Sequence, residues 1–324
     1  MHGVVQIGIA ITAVLALWTA SQLVPASRAV SVTVGAMPVP LNPQDLSQST
    51  VGEFAYAGGI ALRARQTDHL HGLSDLEVTD SNRLVAVGDD GIFFEAQLAF
   101  DSGQRLTGVT DATITVLTGE DGKPLLAKAD TDAEGLAILP SGDRLVSFER
   151  HDRILLYPAT GVPPRRVPAP ETSFPSNGGM EALAVDHDAG PDAYVVGGEI
   201  TGDTWACRVS ARCAAAARID KPREFGLVSM KRLHGLDAVY LLRAFDPQRG
   251  SRISLQVFRS GQMVGRMDLA RPLTVDNFEG VAAVRRRDGA VRFYLLSDDN
   301  GGLPDPNGGD PQRTLLVAFD WTPR

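Results

Sequence analysis

One pattern of apolar and polar residues recurs five times along the chain. In each copy a short apolar segment, a polar turn and a second apolar segment follow one another, and the turns contain residues that favour tight reversals. The pattern therefore predicts five β-hairpins built on one template. Their first strands begin at Leu73, Glu134, Glu181, Phe225 and Glu279, and their second strands begin at Arg83, Arg144, Ala193, Ala238 and Phe293.

The spacing of the copies indicates the architecture. The starts at Glu134, Glu181, Phe225 and Glu279 lie 47, 44 and 54 residues apart, close to the roughly 40 to 50 residues of a four-stranded propeller blade. The alternative is a pair of β-sandwich domains, which also consist of evenly spaced short strands. The Pro-rich stretch Pro158–Pro175 could be a linker between two domains, but it interrupts a repeat and is better explained as a loop between blades, so we favour the propeller.

Two further strand-like segments lie at the ends of the repeat region. Pairing of a strand near Phe54–Leu62 with the final strand Thr314–Trp321 would tie the ring together. We therefore predict an all-β, six-bladed β-propeller closed by N- and C-terminal strands, which forms a single domain over residues 30–324.

The N-terminal residues predict a targeting segment rather than a part of the fold. Val4–Ala20 is apolar and uncharged, and Ser27-Arg28-Ala29 has the small-x-small form of a cleavage site. Residues 1–29 are predicted to be a signal peptide or, because the apolar run approaches the roughly 18 to 20 residues that span a bilayer, an uncleaved N-terminal membrane anchor. Either leads to a periplasmic or secreted protein.

Composition narrows the class of protein and partner. The chain has 39 acidic and 31 basic residues and a net charge of -8, which disfavours nucleic acid as a partner. Hydrophobic residues make up 44% and charged residues 22%, as in soluble globular proteins, and the 33 Gly and 20 Pro suit many short strands. We expect a monomer that does not contact a membrane unless its N-terminal segment is retained.

The two cysteines, Cys207 and Cys213, are close in sequence. In an oxidising compartment they are expected to form a disulfide. The alternative is a pair of free thiols, whereas a zinc site lacks the other ligands it needs.

Carboxylates recur at one position of the repeat. Glu134, Glu181 and Glu279 each open a first strand, and equivalent positions of successive blades converge around a propeller axis. Carboxylates brought together repel one another unless a cation, arginines or raised pKa values compensate. We expect Ca²⁺, or else Mg²⁺ or Mn²⁺, at this ring. The alternative is that each glutamate accepts backbone hydrogen bonds that close its blade.

Further acids lie at the ends of the second strands. They are expected at the same opening of the channel: Asp89, Asp90, Glu149, Glu199 and Asp298.

A cluster of arginine and histidine offers a second kind of chemistry. In Arg150-His151-Asp152-Arg153, Arg150 is a candidate to hold a phosphate and His151 a candidate general base or nucleophile. A solvated turn explains the same cluster equally well. The chain has no G-x-S-x-G nucleophile elbow, P-loop or H-E-x-x-H motif.

Several strings of the sequence resemble one known family. They are Asp132–Ala137, Leu145–Arg150, Asn177–Ala184, Asp276–Val281, Leu295–Asn300 and Gln312–Leu316. Together they resemble the bacterial family named for the esterase-like activity of phytase, or phytase-like domain, over about Gly58 to Phe319. The resemblance implies an exported β-propeller that hydrolyses a small phosphate or carboxylic ester.

The resemblance also suggests roles for individual residues. By analogy with calcium-dependent propeller hydrolases, Glu134, Glu181, Glu279 and Asp298 would hold Ca²⁺. Arg150, Arg243 and Arg313 are candidates to clamp an anionic group of the substrate. The fourth repeat departs from the pattern because Phe225 stands where three other repeats have glutamate. A non-catalytic propeller that binds a ligand or partner protein in the cell envelope is the alternative function.

Overall fold

A computed structural model describes residues 28–64, 66–302 and 311–323 of the protein. The predicted signal peptide or anchor lies outside the described residues except for its last two positions. Among the helices of the described ranges, none is long and apolar enough to cross a membrane.

The described residues form antiparallel strands. The N-terminal strands are β1 (Val30–Ser31), β2 (Val34–Pro38), β3 (Thr50–Val51) and β4 (Phe54–Ala64). The first two repeats follow as β5 (Leu73–Val78), β6 (Arg83–Gly88), β7 (Ile92–Phe100), β8 (Leu106–Val116), β9 (Ala133–Ile138), β10 (Arg144–Phe148), β11 (Arg153–Tyr157) and β12 (Arg165–Val167). A single helical turn, α1 (Lys128–Thr131), separates them.

The remaining strands continue the same order. They are β13 (Ala182–Val185), β14 (Ala193–Gly197), β15 (Thr204–Arg208), β16 (Ala211–Ala215), β17 (Gly226–Leu233), β18 (Leu236–Asp246), β19 (Gly250–Arg259), β20 (Gln262–Leu269), β21 (Asn277–Arg285), β22 (Val291–Asp298) and β23 (Leu315–Trp321). A 3-10 turn at Asn300–Gly302 follows β22.

The strands form five sheets, which we number as blades 1 to 5. From the inside outwards, blade 1 is β5-β6-β7-β8-β1, blade 2 is β9-β10-β11-β12, blade 3 is β13-β14-β15-β16, blade 4 is β17-β18-β19-β20 and blade 5 is β21-β22-β23-β4-β2, with β3 on β4. The innermost strands β5, β9, β13, β17 and β21 contact one another in cyclic order, which closes a ring around a central channel. The described chain is an all-β propeller of five blades.

The prediction of six blades is therefore wrong. Strand β23 pairs with both β22 and β4, so the two terminal segments complete the sheet that already contains the fifth hairpin. They add outer strands to blade 5 and no separate blade. The number of blades equals the number of hairpins that the apolar pattern shows.

The inner hairpins form where the sequence favours them. Their strands are almost wholly buried because each blade packs against neighbours on both faces, and this accounts for the continuous Val, Leu, Ile and Ala runs. Gly142 and Gly289 adopt φ values of 88° in the turns that join the two inner strands of blades 2 and 5. A side chain at that φ would be strained, so glycine suits both turns.

Glycines also let the inner strands approach one another closely. A Cβ atom at Gly135 would lie 2.7 Å from the carbonyl oxygen of Glu181, and one at Gly280 would lie 2.9 Å from Cα of Asp75. Both contacts join neighbouring blades. The Glu-Gly pairs at 134–135 and 279–280 thus combine a carboxylate at the channel with a residue that leaves room for the next strand.

A disulfide joins Cys207 to Cys213 across the hairpin of β15 and β16, with an S–S distance of 2.03 Å. This hairpin is the outer half of blade 3, where few apolar side chains hold the last strand in place. The covalent link therefore supplements weak packing at the edge of that blade.

Candidate functional site at the channel mouth

Irregular pairing between the first and second strands of the blades determines where the repeated glutamates lie. In four blades the inner strand carries one extra residue where it meets the second strand, and the extra residues are Ser74, Glu134, Val228 and Glu279. Glu181 takes the same place in blade 3, directly before β13. A β-bulge re-aims the side chain it carries. Blades 2, 3 and 5 thus present a glutamate at equivalent points around one end of the channel.

A second ring lies at the ends of the second strands. Asp89, Glu149 and Glu199 each donate their backbone N–H to the segment that precedes the inner strand, to the carbonyls of Gly72, Asp132 and Gly179. In blades 4 and 5 the corresponding residues are Arg243 and Asp298. We call the eight residues of the two rings the mouth: Asp89, Glu134, Glu149, Glu181, Glu199, Arg243, Glu279 and Asp298.

The charges of the mouth act on one another. Burial raises the pKa of Glu134 well above its ordinary value, and the nearby carboxylate of Glu279 raises it further. Burial and then Glu199 act in the same direction on the pKa of Glu181, and burial and then Glu279 on the pKa of Asp298. These carboxyl groups come from blades 2, 3 and 5. The ionisation of each one therefore depends on the charges that other blades bring to the mouth.

Arg243 is the one mouth residue with a positive charge. Its Nη1 lies 2.9 Å from Oε1 of Glu279 and its Nη2 lies 3.7 Å from Oε1 of Glu199, and it also donates to Oδ1 of Asn277. The guanidinium thus links blades 3, 4 and 5 and compensates the acids on that side. Blade 2 receives no such partner within the mouth.

The blade 2 side has the geometry of a cation site. Each of Asp132, Glu134 and Glu149 offers an oxygen, and these atoms lie within 4.8 Å of one another. Asp132 pairs with Lys128 and Arg150, and Oε1 of Glu149 accepts the backbone N–H groups of Gly178 and Gly179.

Glu134 is the member of this set whose oxygens remain available. Within the described ranges its carboxylate makes no hydrogen bond or ion pair. The donor set is all oxygen and holds more negative charge than its neighbours neutralise. It fits a hard divalent cation.

The raised pKa values predict how stability depends on pH. A carboxyl group whose pKa is higher in the folded protein than its ordinary value near 4.5 stabilises the fold at low pH, and this contribution is lost as pH rises through the folded-state pKa. Cation-free protein is therefore expected to melt roughly 3 to 5 °C lower at pH 8 than at pH 5. Calorimetry after chelation measures the difference.

Excess Ca²⁺ provides the control for this prediction, since a bound cation would offset the repulsion and reduce the pH effect. An exposed acid such as Asp246 does not contribute to a change between pH 5 and pH 8, because a backbone hydrogen bond from Arg249 lowers its pKa below 3.8. A melting temperature that rose from pH 5 to pH 8 without cation would contradict the electrostatic description of the mouth.

The other predicted site residues lie at different distances from this cluster. Arg150 pairs with Asp132, a member of the cation-site set on the blade 2 side. His151 is exposed, and its Nδ1 lies 2.8 Å from Oδ1 of Asp130 rather than against the mouth carboxylates. Arg313 pairs with Asp276, the residue before Asn277, at 3.6 Å.

Sequence reasoning missed a network of charged residues deeper in the channel. Nζ of Lys231 lies 2.8 Å from Oδ2 of Asp75, 3.1 Å from Oε1 of Glu77 and 2.8 Å from the carbonyl oxygen of Leu136. Oδ1 of Asp75 also accepts the hydroxyl of Ser229. We call Asp75, Glu77, Ser229 and Lys231 the channel network.

The channel network crosses the axis. Asp75 and Glu77 belong to blade 1 and Lys231 to blade 4, and these two blades are not neighbours in the ring. Two signals in the sequence pointed to it: an aspartate at 75 where other repeats have Gly135 and Gly280, and a lysine within the apolar strand β17.

The chain is similar to several solved structures with which it shares little sequence identity. Regucalcin from Agrobacterium tumefaciens, a calcium-binding protein, is 11% identical, with a TM-score of 0.45 over 93% of this chain and 92% of that one. Virginiamycin B lyase from Staphylococcus aureus is 11% identical, with a TM-score of 0.42 over 82% of this chain and 99% of that one.

A search of curated protein sequences found no match. A family model does match, and it confirms the resemblance seen in the sequence motifs. The match covers residues 68–301, more than two thirds of the chain, so the protein belongs to the phytase-like family, described as esterase-like activity of phytase.

Proposed function

We propose that the protein is an exported hydrolase of phosphate or carboxylic esters that uses a divalent cation, with Ca²⁺ the best match. The observation that carries this proposal is the oxygen set of Asp132, Glu134 and Glu149, whose atoms lie within 4.8 Å of one another. Its family and its propeller fold support the same reaction class. Its predicted export segment supports a periplasmic or secreted location.

The residues of the mouth would have different roles in such a site. Glu134 and Glu149 would hold the cation with Asp132. Burial raises the pKa values of Glu181, Glu279 and Asp298, and a bound cation would favour the charged forms of these carboxyl groups. A bound divalent cation supplies Lewis acidity toward an ester or phosphoryl oxygen. Arg243 keeps two glutamates in fixed positions through its contacts with Glu199 and Glu279.

We infer that Arg150 orients the substrate. Its guanidinium pairs with Asp132, and its side chain is 43% exposed, so a ligand can reach it from solvent. Guanidinium groups bind carboxylate and phosphate oxygens in a fixed fork geometry. Arg150 would therefore hold an oxygen of the substrate near the cation while Asp132 fixes the orientation of the guanidinium.

Hydrolysis of simple esters tests the proposal directly. Purified protein would be assayed with a generic phosphomonoester and a generic carboxylic ester, after chelation and again after Ca²⁺ is restored. We expect turnover of one ester class that is lost on chelation and recovered with Ca²⁺. An absence of turnover of both esters in both states would contradict the proposal and favour a propeller that binds a ligand without reacting with it.

A further inference from the structure

Lys128, on the single helical turn α1, lies among three carboxylates beside the mouth. Its Nζ is 2.7 Å from Oδ1 of Asp132, contacts Oδ2 of Asp89 and lies 4.0 Å from Oδ1 of Asp90. Asp89 and Asp90 follow the second strand of blade 1, and Asp132 precedes the first strand of blade 2. One ammonium therefore compensates acids that two neighbouring blades bring together.

Asp132 belongs both to the cation-site set and to this group of ion pairs. Its Oδ1 pairs with Lys128 and its Oδ2 pairs with Arg150, so each of its oxygens already faces a positive charge. A divalent cation held by Asp132, Glu134 and Glu149 would lie close to the ammonium, and like charges at such short distances repel one another. The ammonium and the cation would therefore compete for one carboxylate.

Lys128 is able to leave Asp132. The helical turn α1 is four residues long, and no side chain caps its N-terminus. The side chain of Lys128 is 44% exposed, and a lysine carries its charge on a flexible four-carbon stem. Asp90 is 41% exposed and close enough to receive the ammonium. Movement of the ammonium away from Asp132 thus requires no change in the blades.

Asp89 shows why the ammonium is needed in the cation-free mouth. Its Oδ1 is buried and has no hydrogen-bond partner among the described residues, whereas its Oδ2 pairs with Lys128. The ammonium thus offsets the charges of Asp89 and Asp132 when no cation does so. A divalent cation would bring two positive charges to the same place, and the contribution of the lysine would then be small.

We propose that Lys128 is an exchangeable counter-ion of the mouth. Its ammonium offsets Asp89 and Asp132 while no divalent cation is bound, and it leaves Asp132 when a cation binds. The lysine thereby determines the Ca²⁺ concentration at which the site fills. This role rests on the proposed function, because the exchange regulates the same cation site.

Calorimetric titration with Ca²⁺ tests the exchange without requiring catalysis. The full chain would be chelated, dialysed at pH 8 and titrated as wild type, Lys128→Met and Lys128→Gln. Both substitutions remove the charge, and glutamine can still donate a hydrogen bond to Asp132. We expect both variants to bind Ca²⁺ about tenfold more tightly than wild type, because the competing charge is gone. The matched control is Lys123→Met, at an 80% exposed lysine that pairs with Asp121, and it should bind within about twofold of wild type.

Melting temperatures give an independent readout. A tenfold gain in affinity corresponds to about 1.4 kcal/mol. If the lysine is dispensable once Ca²⁺ is bound, linkage requires the cation-free variant to be less stable by the same amount. We therefore expect Lys128→Met to melt about 2 °C below wild type after chelation, and at the wild-type temperature in saturating Ca²⁺.

The outcomes separate the exchange from the proposed function. Unchanged or weaker Ca²⁺ binding by the Lys128 variants overturns the exchange and leaves the cation site intact. A melting temperature that is equally low with and without Ca²⁺ also overturns it, because the lysine would then support the fold in both states. If no protein binds Ca²⁺, the exchange and the cation dependence both fail, and the ester assay decides separately whether hydrolysis occurs. Circular dichroism confirms that all variants are folded.

Discussion

Replacing Lys231 with methionine is expected to destabilise the fold by about 3 to 5 kcal/mol, because a buried carboxylate loses its counter-ion. Asp75 is fully buried, and Lys231 is nearly so. Burial alone would lower the pKa of Lys231, but Asp75 and Glu77 raise it overall, so the ammonium is charged in the folded protein. Methionine has a similar length and cannot donate to Asp75. Urea unfolding of cation-free protein measures the loss.

The matched control combines Lys231→Met with Asp75→Asn. This pair removes the lysine together with the fully buried carboxylate, and asparagine can still accept from Ser229 or Leu136. Glu77 also loses its partner, but its side chain is 24% exposed and can be hydrated. We therefore expect part of the lost stability to return. A single Lys231→Met variant within about 1 kcal/mol of wild type would contradict the ion pair, because unpaired buried charges are far more costly than that.

Replacing Glu134 with glutamine is expected to reduce Ca²⁺-dependent turnover by about 100-fold or more, since loss of a ligand weakens a cation's hold on the reacting oxygen. The same change should raise the melting temperature of cation-free protein at pH 8. Glu134 is the cation-site carboxylate without a hydrogen bond in the described structure, and its neighbours repel it. Opposite effects on turnover and stability distinguish a functional carboxylate from one that closes a blade.

Glu171→Gln provides the control for that experiment. Glu171 is 78% exposed beside Arg212, away from the channel, and the substitution makes the same chemical change. Neither turnover nor melting temperature should change measurably. A Glu134→Gln variant that melts lower than wild type and keeps its turnover would show that Glu134 supports the fold.

Repetition made much of the mouth predictable. A residue that recurs at one point of a repeated hairpin recurs at one height of the propeller, so Glu134, Glu181 and Glu279 reach the same end of the channel. The same reasoning places Glu149 and Asp298 beside them. Their role as ligands remains a prediction.

The blade number and the channel network were harder to predict, for different reasons. An apolar strand such as β4 shows that it will be buried, but its partner is chosen by long-range packing, and β4 joined an existing blade. Asp75 and Lys231 are 156 residues apart in the chain. Only the closure of the ring brings them together, so no local pattern marks them as a pair.

The channel network also joins opposite parts of the ring of blades. Asp75 of blade 1 meets Lys231 of blade 4 across the axis, so this ion pair connects two blades that are not neighbours in the ring. Without the network, blades 1 and 4 of the described chain would be linked only through the blades that lie between them.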